Sequence, residues 1–156
     1  MQWSKLKTRV KDRICPELRD RVDFHLTSYR RSHDDADKVW ITIDGEPLLK
    51  IKHYTHQRAE YEGYSCGLSG AAIRSLLSEL EIFHPKDFGD AMRSYLDLPI
   101  SEALASTNPL IKAFAIIDRR VGKRTLMKVE ISDTDSPLIR TFYSLRLLRA
   151  MRISAD

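Results

Sequence analysis

The stretch that decides the fold reads VWITIDG and occupies residues 39–45. Its β-branched and aromatic residues favour an extended strand. Asp44 and Gly45 tolerate the positive φ angles that a two-residue type I′ turn needs at both positions, so they predict a tight hairpin. A second strand, from about Leu48 to Tyr54, is then expected to pair back on the first.

The chain before this stretch indicates one more strand and a helix. Apolar residues at 22, 24 and 26 alternate with polar ones, which is the period of a strand with one buried face. Residues 3–14 instead carry apolar side chains at helical spacing among many cations, which predicts an amphipathic helix that ends before Pro16.

After residue 69 the apolar period is helical. We expect helices over 69–82, 85–96, 100–105 and 136–153, and one that starts at 108 and stops at Gly122, in which residues 110–117 are apolar nearly all round. The polar connection 55–69 holds either a short helix or a functional loop. Strands first and helices afterwards predict an α+β protein: a small antiparallel sheet of about three or four strands, packed against a mainly C-terminal helical layer. A single domain over 1–156 is expected.

The composition is that of an ordinary globular protein. Of the 156 residues, 42% are hydrophobic and 31% are charged, and the net charge is +4 with basic ends and an acidic middle. The widely spaced Cys15 and Cys66 predict free thiols rather than a disulfide framework. The chain shows neither a signal peptide nor a long apolar run, so we expect a cytoplasmic location and no membrane partner.

The face of the predicted sheet that points away from the core is the leading candidate for binding. It carries aromatic residues interleaved with lysines, namely Tyr29, Trp40, Lys50 and Lys52. Several RNA-binding folds stack bases on such a face and neutralise phosphates with its cations. The alternative is that another element covers these rings.

The run DRRVGKR at 118–124 has a structural and a functional interpretation. The structural one makes Gly122 a left-handed helix C-cap and has cations complement the helix end. The functional one makes Arg120, Lys123 and Arg124 part of an anion-binding patch. Asp118 is expected to be structural and buried, and to accept hydrogen bonds from an arginine, with Arg124, Arg146 and Arg149 as the candidates.

Other sets of polar residues have weaker signals. His53, His56 and Glu60 lack the i, i+4 histidine spacing of a helical zinc site, because His53 is expected to end a strand and His56 to lie in a loop. The aspartates 34, 35 and 37 lack the rest of a calcium loop. Cys66 has no activating motif around it. The sequence therefore predicts no catalytic residue, no metal ligand and no cofactor.

The chain also resembles a family of bacterial proteins of similar length that have no assigned function. The resemblance rests on four segments, WSKLK at 3–7, LPISEAL at 98–104, NPLI at 108–111 and DRRVGKR at 118–124. It implies a stand-alone bacterial domain and transfers no site residue.

Three functions remain open at this point. The first is a non-catalytic binding or protein-interaction module of regulatory or immunity type, with a protein partner. The second is an RNA- or DNA-binding module that uses the aromatic and basic sheet face. The third is a hydrolase-like enzyme centred on the Cys66 loop.

Overall fold

The β-branched stretch forms the middle strand of a three-stranded antiparallel sheet in the order β1-β2-β3. The strands are β1 (Val22–Thr27), β2 (Lys38–Ile43) and β3 (Glu46–Lys52). The structure is a computed structural model that describes residues 2–27, 37–80 and 82–152, without the side chains of 52–54, 78 and 149–152.

The hairpin between β2 and β3 has the predicted two-residue turn. Asp44 has a φ of 52° and Gly45 a φ of 85°, the two positive angles of a type I′ turn. The register shifts by one residue between Ile41 and Thr42, which is a β-bulge on the β3 side. The prediction of a hairpin at Asp44-Gly45 is therefore confirmed.

Helices make up the rest of the described chain, mostly after the sheet. They are α1 (Trp3–Lys11), α2 (Pro16–Arg19), α3 (His53–Ser65), α4 (Gly70–Glu79), α5 (Pro85–Asp97), α6 (Ile100–Leu104), α7 (Pro109–Ile116), α8 (Lys123–Leu126) and α9 (Pro137–Arg152). The α+β prediction is confirmed.

The core lies between the sheet and helices α5 and α7. Phe24 of β1 packs its ring against Phe88 of α5 and Phe114 of α7, with ring centroids 6.1 and 5.7 Å away. All three rings are buried, and Phe88 meets Phe114 edge to face. Every residue of 110–117 other than Lys112 is buried, so α7 is the central helix that its apolar pattern predicts.

The connection after the sheet differs from the sequence interpretation. His53 and His56 both belong to α3, a 13-residue helix, so the assignment of His53 to a strand and of His56 to a loop is wrong. The face of α3 that packs on α4 is hard to detect in the sequence, because it includes the small residue Gly63. An added Cβ there would lie 2.8 Å from Cγ1 of Ile73 in α4, so the close approach of the two helices requires glycine.

The predicted left-handed C-cap at Gly122 is also wrong. Helix α7 ends at Ile116, and Gly122 has a φ of −75° and begins α8 instead. The chain turns earlier because Asp118 pairs with Ile14 in an antiparallel bridge, while its side chain accepts a 2.8 Å hydrogen bond from the backbone N–H of Arg120. This Asx-type turn replaces the glycine cap.

Candidate binding surface on the open sheet face

The sheet surface opposite the core carries alternate residues of all three strands. On β2, Val39 and Ile41 are buried toward the core, whereas Lys38 is exposed and Trp40 is half-buried. Period-two alternation produces this division, because successive side chains of a strand point to opposite sides. We call the surface that carries His25, Lys38, Trp40 and Lys50 the open face.

The indole of Trp40 is held in place by His25. These two residues are cross-strand partners, and their rings stack with centroids 4.9 Å apart and planes within 10°. His25 is itself fixed by a 2.9 Å hydrogen bond between its Nε2 and Oγ1 of Thr42. One side of the indole is therefore occupied by an ordered ring.

A groove of about 330 Å³ lies on the open face beside Trp40. Its walls come from β2, β3 and their turn, and they include Lys38, Trp40, Pro47 and Lys50. None of its lining residues comes from β1, so the groove lies on the side of the indole away from His25. Lys50 is exposed and is the cross-strand partner of Trp40.

A carboxylate beside this aromatic pair, that of Asp23, lies 4.0 Å from Nε2 of His25 and is neutralised by two lysines. Asp23 lies 2.8 Å from Nζ of Lys7 and 3.3 Å from Nζ of Lys11, both in α1. Burial opposes the ionisation of Asp23, but the hydrogen bonds from Lys7 and from the backbone of Phe24 outweigh it and lower its pKa. The lysines beside the groove are thus not offset by this aspartate.

The structure brings together two of the four residues predicted for this face. Trp40 and Lys50 are adjacent across β2 and β3. Lys52 is the cross-strand partner of Lys38 by backbone register, but its side chain lies outside the described part. Tyr29 lies outside the described residues, as do the aspartates at 34 and 35.

The second predicted feature, Asp118, lies at the centre of a buried polar cluster. Its side chain is fully buried. It accepts a 2.5 Å hydrogen bond from the hydroxyl of Tyr95 and a 2.7 Å hydrogen bond from Nη2 of Arg120. The guanidinium of Arg13 lies 5.5 Å from the centroid of the Tyr95 ring and donates to the carbonyls of Tyr95 and Leu96.

These contacts shift the pKa values of Asp118 and Tyr95 in opposite directions. Burial opposes the ionisation of Asp118, but the hydrogen bonds from Arg120 and Tyr95 prevail and lower its pKa. Burial, together with the hydrogen bond to Asp118, raises the pKa of Tyr95 far above its ordinary value. The cluster is therefore a carboxylate, a neutral phenol and a guanidinium, which is a satisfied structural network.

The cation that pairs with Asp118 is not one of those expected. Arg124 is exposed on α8, and Arg146 donates to the carbonyl of Val121 and lies 3.9 Å from Glu17. The side chain of Arg149 lies outside the described part. Arg120 thus serves Asp118 rather than a separate anion patch, while Lys123 and Arg124 remain exposed in the predicted run.

The histidine and cysteine sets do not converge on a reactive site. His56 makes a 3.6 Å contact with Glu60, and its ring meets that of His84 edge to face. His56 precedes the exposed Cys66 by ten residues, which is about 15 Å along a helix. Within the described ranges, no three potential metal-ligating side chains lie together.

Sequence reasoning missed Tyr95 as a partner of Asp118. Its only signal is its place among the apolar residues of α5, where a tyrosine with a buried ring needs a hydrogen-bond acceptor for its hydroxyl. The stack of His25 on Trp40 was likewise not foreseen, because it depends on strand register.

Fold and surface together define a small α+β protein with an exposed antiparallel sheet that presents one ordered tryptophan between lysines. The chain belongs to the SF0329 protein family, whose model matches residues 2–147. This match confirms the expected resemblance to a protein family without an assigned function. Neither the curated proteins nor the solved structures contain a match to the chain.

None of the described helices combines the length and hydrophobicity that a bilayer crossing requires.

Proposed function

We propose that this protein is a non-catalytic binding module that takes an anionic partner on the open face. The observation that carries the proposal is the groove beside Trp40, which has an aromatic wall, exposed lysines and, among the described residues that line it, no carboxylate. A binding site typically combines such an apolar surface with a few placed polar groups. The regulatory or immunity type of module and the cytoplasmic location are part of this proposal.

The rigidity of the indole supports a binding role. A side chain already held in one orientation loses little conformational entropy when a ligand arrives, so more of the contact energy appears as affinity. Trp40 meets this condition because His25 stacks on it and Thr42 fixes His25.

The charge of the open face favours a negatively charged partner. Lys38 and Lys50 line the groove, and the closest acidic side chain of β1, Asp23, is already paired with Lys7 and Lys11. Cations in a groove raise the local concentration of anions and accelerate their encounter. An anionic polymer that contacts several lysines should therefore bind in a salt-dependent manner.

The experiment uses the fluorescence of Trp40 in a Trp3→Phe background, so that one tryptophan reports. The protein is titrated with four anionic polymers: polyphosphate, heparin, poly-L-glutamate and single-stranded RNA. We expect at least one to change the Trp40 emission, and we expect Lys50→Gln to weaken its binding.

The matched control is Lys86→Gln, which removes an exposed lysine from α5, a helix on the core side of the sheet and not on the open face. Equal weakening by Lys50→Gln and Lys86→Gln, or an unchanged emission with all four polymers, would refute the open face as the binding surface.

A further inference from the structure

We infer that the anionic partner is single-stranded nucleic acid, with one base stacked on the free side of the Trp40 indole and the neighbouring phosphates on Lys38 and Lys50. This inference rests on the proposed function, since it names the ligand class of the same surface. It follows from the shape of the aromatic site, from the row of residues across the strands and from the limits of the groove.

The shape of the aromatic site favours a planar ligand. His25 covers one side of the indole in a nearly parallel stack at 4.9 Å, and the groove adjoins the other side. A base entering the groove would extend this stack to three rings, His25, Trp40 and base. Every nucleobase presents a π-face, so such a platform binds bases without requiring a particular sequence.

The row across the strands places cations where a backbone would pass. His25, Trp40 and Lys50 are successive cross-strand partners on β1, β2 and β3, and Lys38 lies two residues before Trp40 on the same side of β2. Lys50 lies on the neighbouring strand, about 4.8 Å from β2, and Lys38 lies two residues along β2, so the phosphates next to a stacked base are within reach of these lysine side chains. An acidic peptide would contact the lysines but would leave the indole without a planar partner.

The limits of the groove favour a single strand over a duplex. The groove has a volume of about 330 Å³, which is enough for one small ring system. It opens on one side of a single indole. Bases in a duplex are stacked on their neighbours and cannot lie flat on a protein ring without being unstacked. The open face therefore fits unpaired nucleotides.

The test compares two labelled decamers that share a backbone, oligouridine and an abasic oligomer, by fluorescence anisotropy at several salt concentrations. We expect oligouridine to bind about 5- to 150-fold tighter than the abasic oligomer, the factor that corresponds to one base–aromatic stack. Trp40→Ala should abolish that difference, and Trp40→Phe should restore most of it. Lys50→Gln should lower the slope of log affinity against log salt by about 0.7 for both oligomers.

Three further arms separate the sources of binding. Oligodeoxyuridine shows whether the sugar matters, an RNA duplex shows whether the strand must be single, and Arg124→Gln tests the exposed basic run as the site instead. Circular dichroism of each variant establishes that it is folded. We expect oligodeoxyuridine to retain binding, the duplex to bind less tightly than the single strand, and Arg124→Gln to behave as wild type.

The inference is overturned if the abasic oligomer binds as tightly as oligouridine, if the duplex binds more tightly than the single strand, or if Arg124→Gln weakens binding more than Trp40→Ala. It is also overturned if poly-L-glutamate alone binds at Trp40, in which case the open face binds an acidic protein and the proposed function stands. A failure of every anionic polymer at Trp40 would remove the proposed function itself.

Discussion

The hydroxyl of Tyr95 donates a 2.5 Å hydrogen bond to Oδ2 of Asp118, and both side chains are buried. This contact joins α5 to the turn after α7. The same carboxylate binds the side chain and the backbone N–H of Arg120, so all of its oxygen atoms are occupied. A buried carboxylate with such complete pairing specifies how the two segments meet.

The first prediction concerns the removal of that carboxylate. Asp118→Ala leaves the hydroxyl of Tyr95 without an acceptor in the core and Arg120 without its partner, so unfolding free energy should fall by about 3 kcal/mol. Asp118→Asn keeps the shape of the side chain and should lose less unfolding free energy. Urea denaturation measures both, and a loss below about 1 kcal/mol for the alanine variant would mean that the cluster is dispensable.

The second prediction isolates the phenol. Tyr95→Phe removes one hydrogen bond to a charged acceptor and should cost about 1.5 to 3 kcal/mol. The matched control is Tyr61→Phe, because Tyr61 is 74% exposed on α3 and should be nearly neutral. If the two variants have the same urea midpoint, the Tyr95 hydroxyl does not support Asp118.

The third prediction is a dependence of stability on pH. The folded state lowers the pKa of Asp118 below the unfolded value of 3.8. The stabilisation is therefore fully present above pH 3.8 and is lost as the pH falls through the folded-state pKa. Because Asp23 and Asp135 also have lowered pKa values, the measured quantity is the difference between wild type and Asp118→Asn.

That difference, taken from urea denaturation at a series of pH values, should be constant near neutrality and should shrink in the acid range. A difference that stays constant down to pH 2.5, or that grows on acidification, contradicts the assignment.

The fourth prediction uses one substitution at two glycines. Gly45 has a φ of 85°, whereas Gly122 has a φ of −75° and open space around it. Serine in the left-handed region costs about 1 to 2 kcal/mol, so Gly45→Ser should lower the thermal midpoint clearly. Gly122→Ser should be neutral or stabilising, because serine is a preferred helix N-cap. A large fall in the thermal midpoint of Gly122→Ser would indicate that Gly122 needs the left-handed conformation of a helix C-cap.

The fifth prediction tests the contact of α3 with α4. Gly63→Ala places a methyl group 2.8 Å from Cγ1 of the buried Ile73, and such overpacking typically costs about 1 to 3 kcal/mol. Ile73→Ala removes the obstructing atoms, so the double variant should lose less stability than the sum of the two single variants. Additive losses would show that the helices do not touch at Gly63.

The elements that follow local chemistry could be predicted from the sequence. The β-branched run and the Asp44-Gly45 turn need only neighbouring residues, and so does the apolar helix around Phe114. The burial of Asp118 followed from its spacing to apolar residues nearby in sequence. The hydrogen bond between Asp118 and Tyr95 could not be predicted in this way, because Tyr95 is 23 residues away and reaches Asp118 only through the packing of α5 on α7.

Three other features depend on tertiary contacts that no local rule contains. Gly122 has the sequence context of a helix cap, but the bridge between Ile14 and Asp118 makes the chain turn earlier. Helix α3 shows little apolar periodicity because glycine forms part of its contact with α4. The stack of His25 on Trp40 likewise needs the strand register, which the sequence suggests without fixing.

The bridge between Ile14 and Asp118 also sets an order of events during synthesis. The backbone N–H of Cys15 donates to the carbonyl of Ile117, and that of Arg119 donates to the carbonyl of Arg13, so the two backbone hydrogen bonds of this bridge cannot both form until residue 119 has been translated. The ribosome needs about 5 to 20 s to add the hundred residues between them. Until α5 (Pro85–Asp97) has been translated within that interval, the apolar side of α1, with Leu6 and Val10, lacks its packing partners in α5 and is available to chaperones.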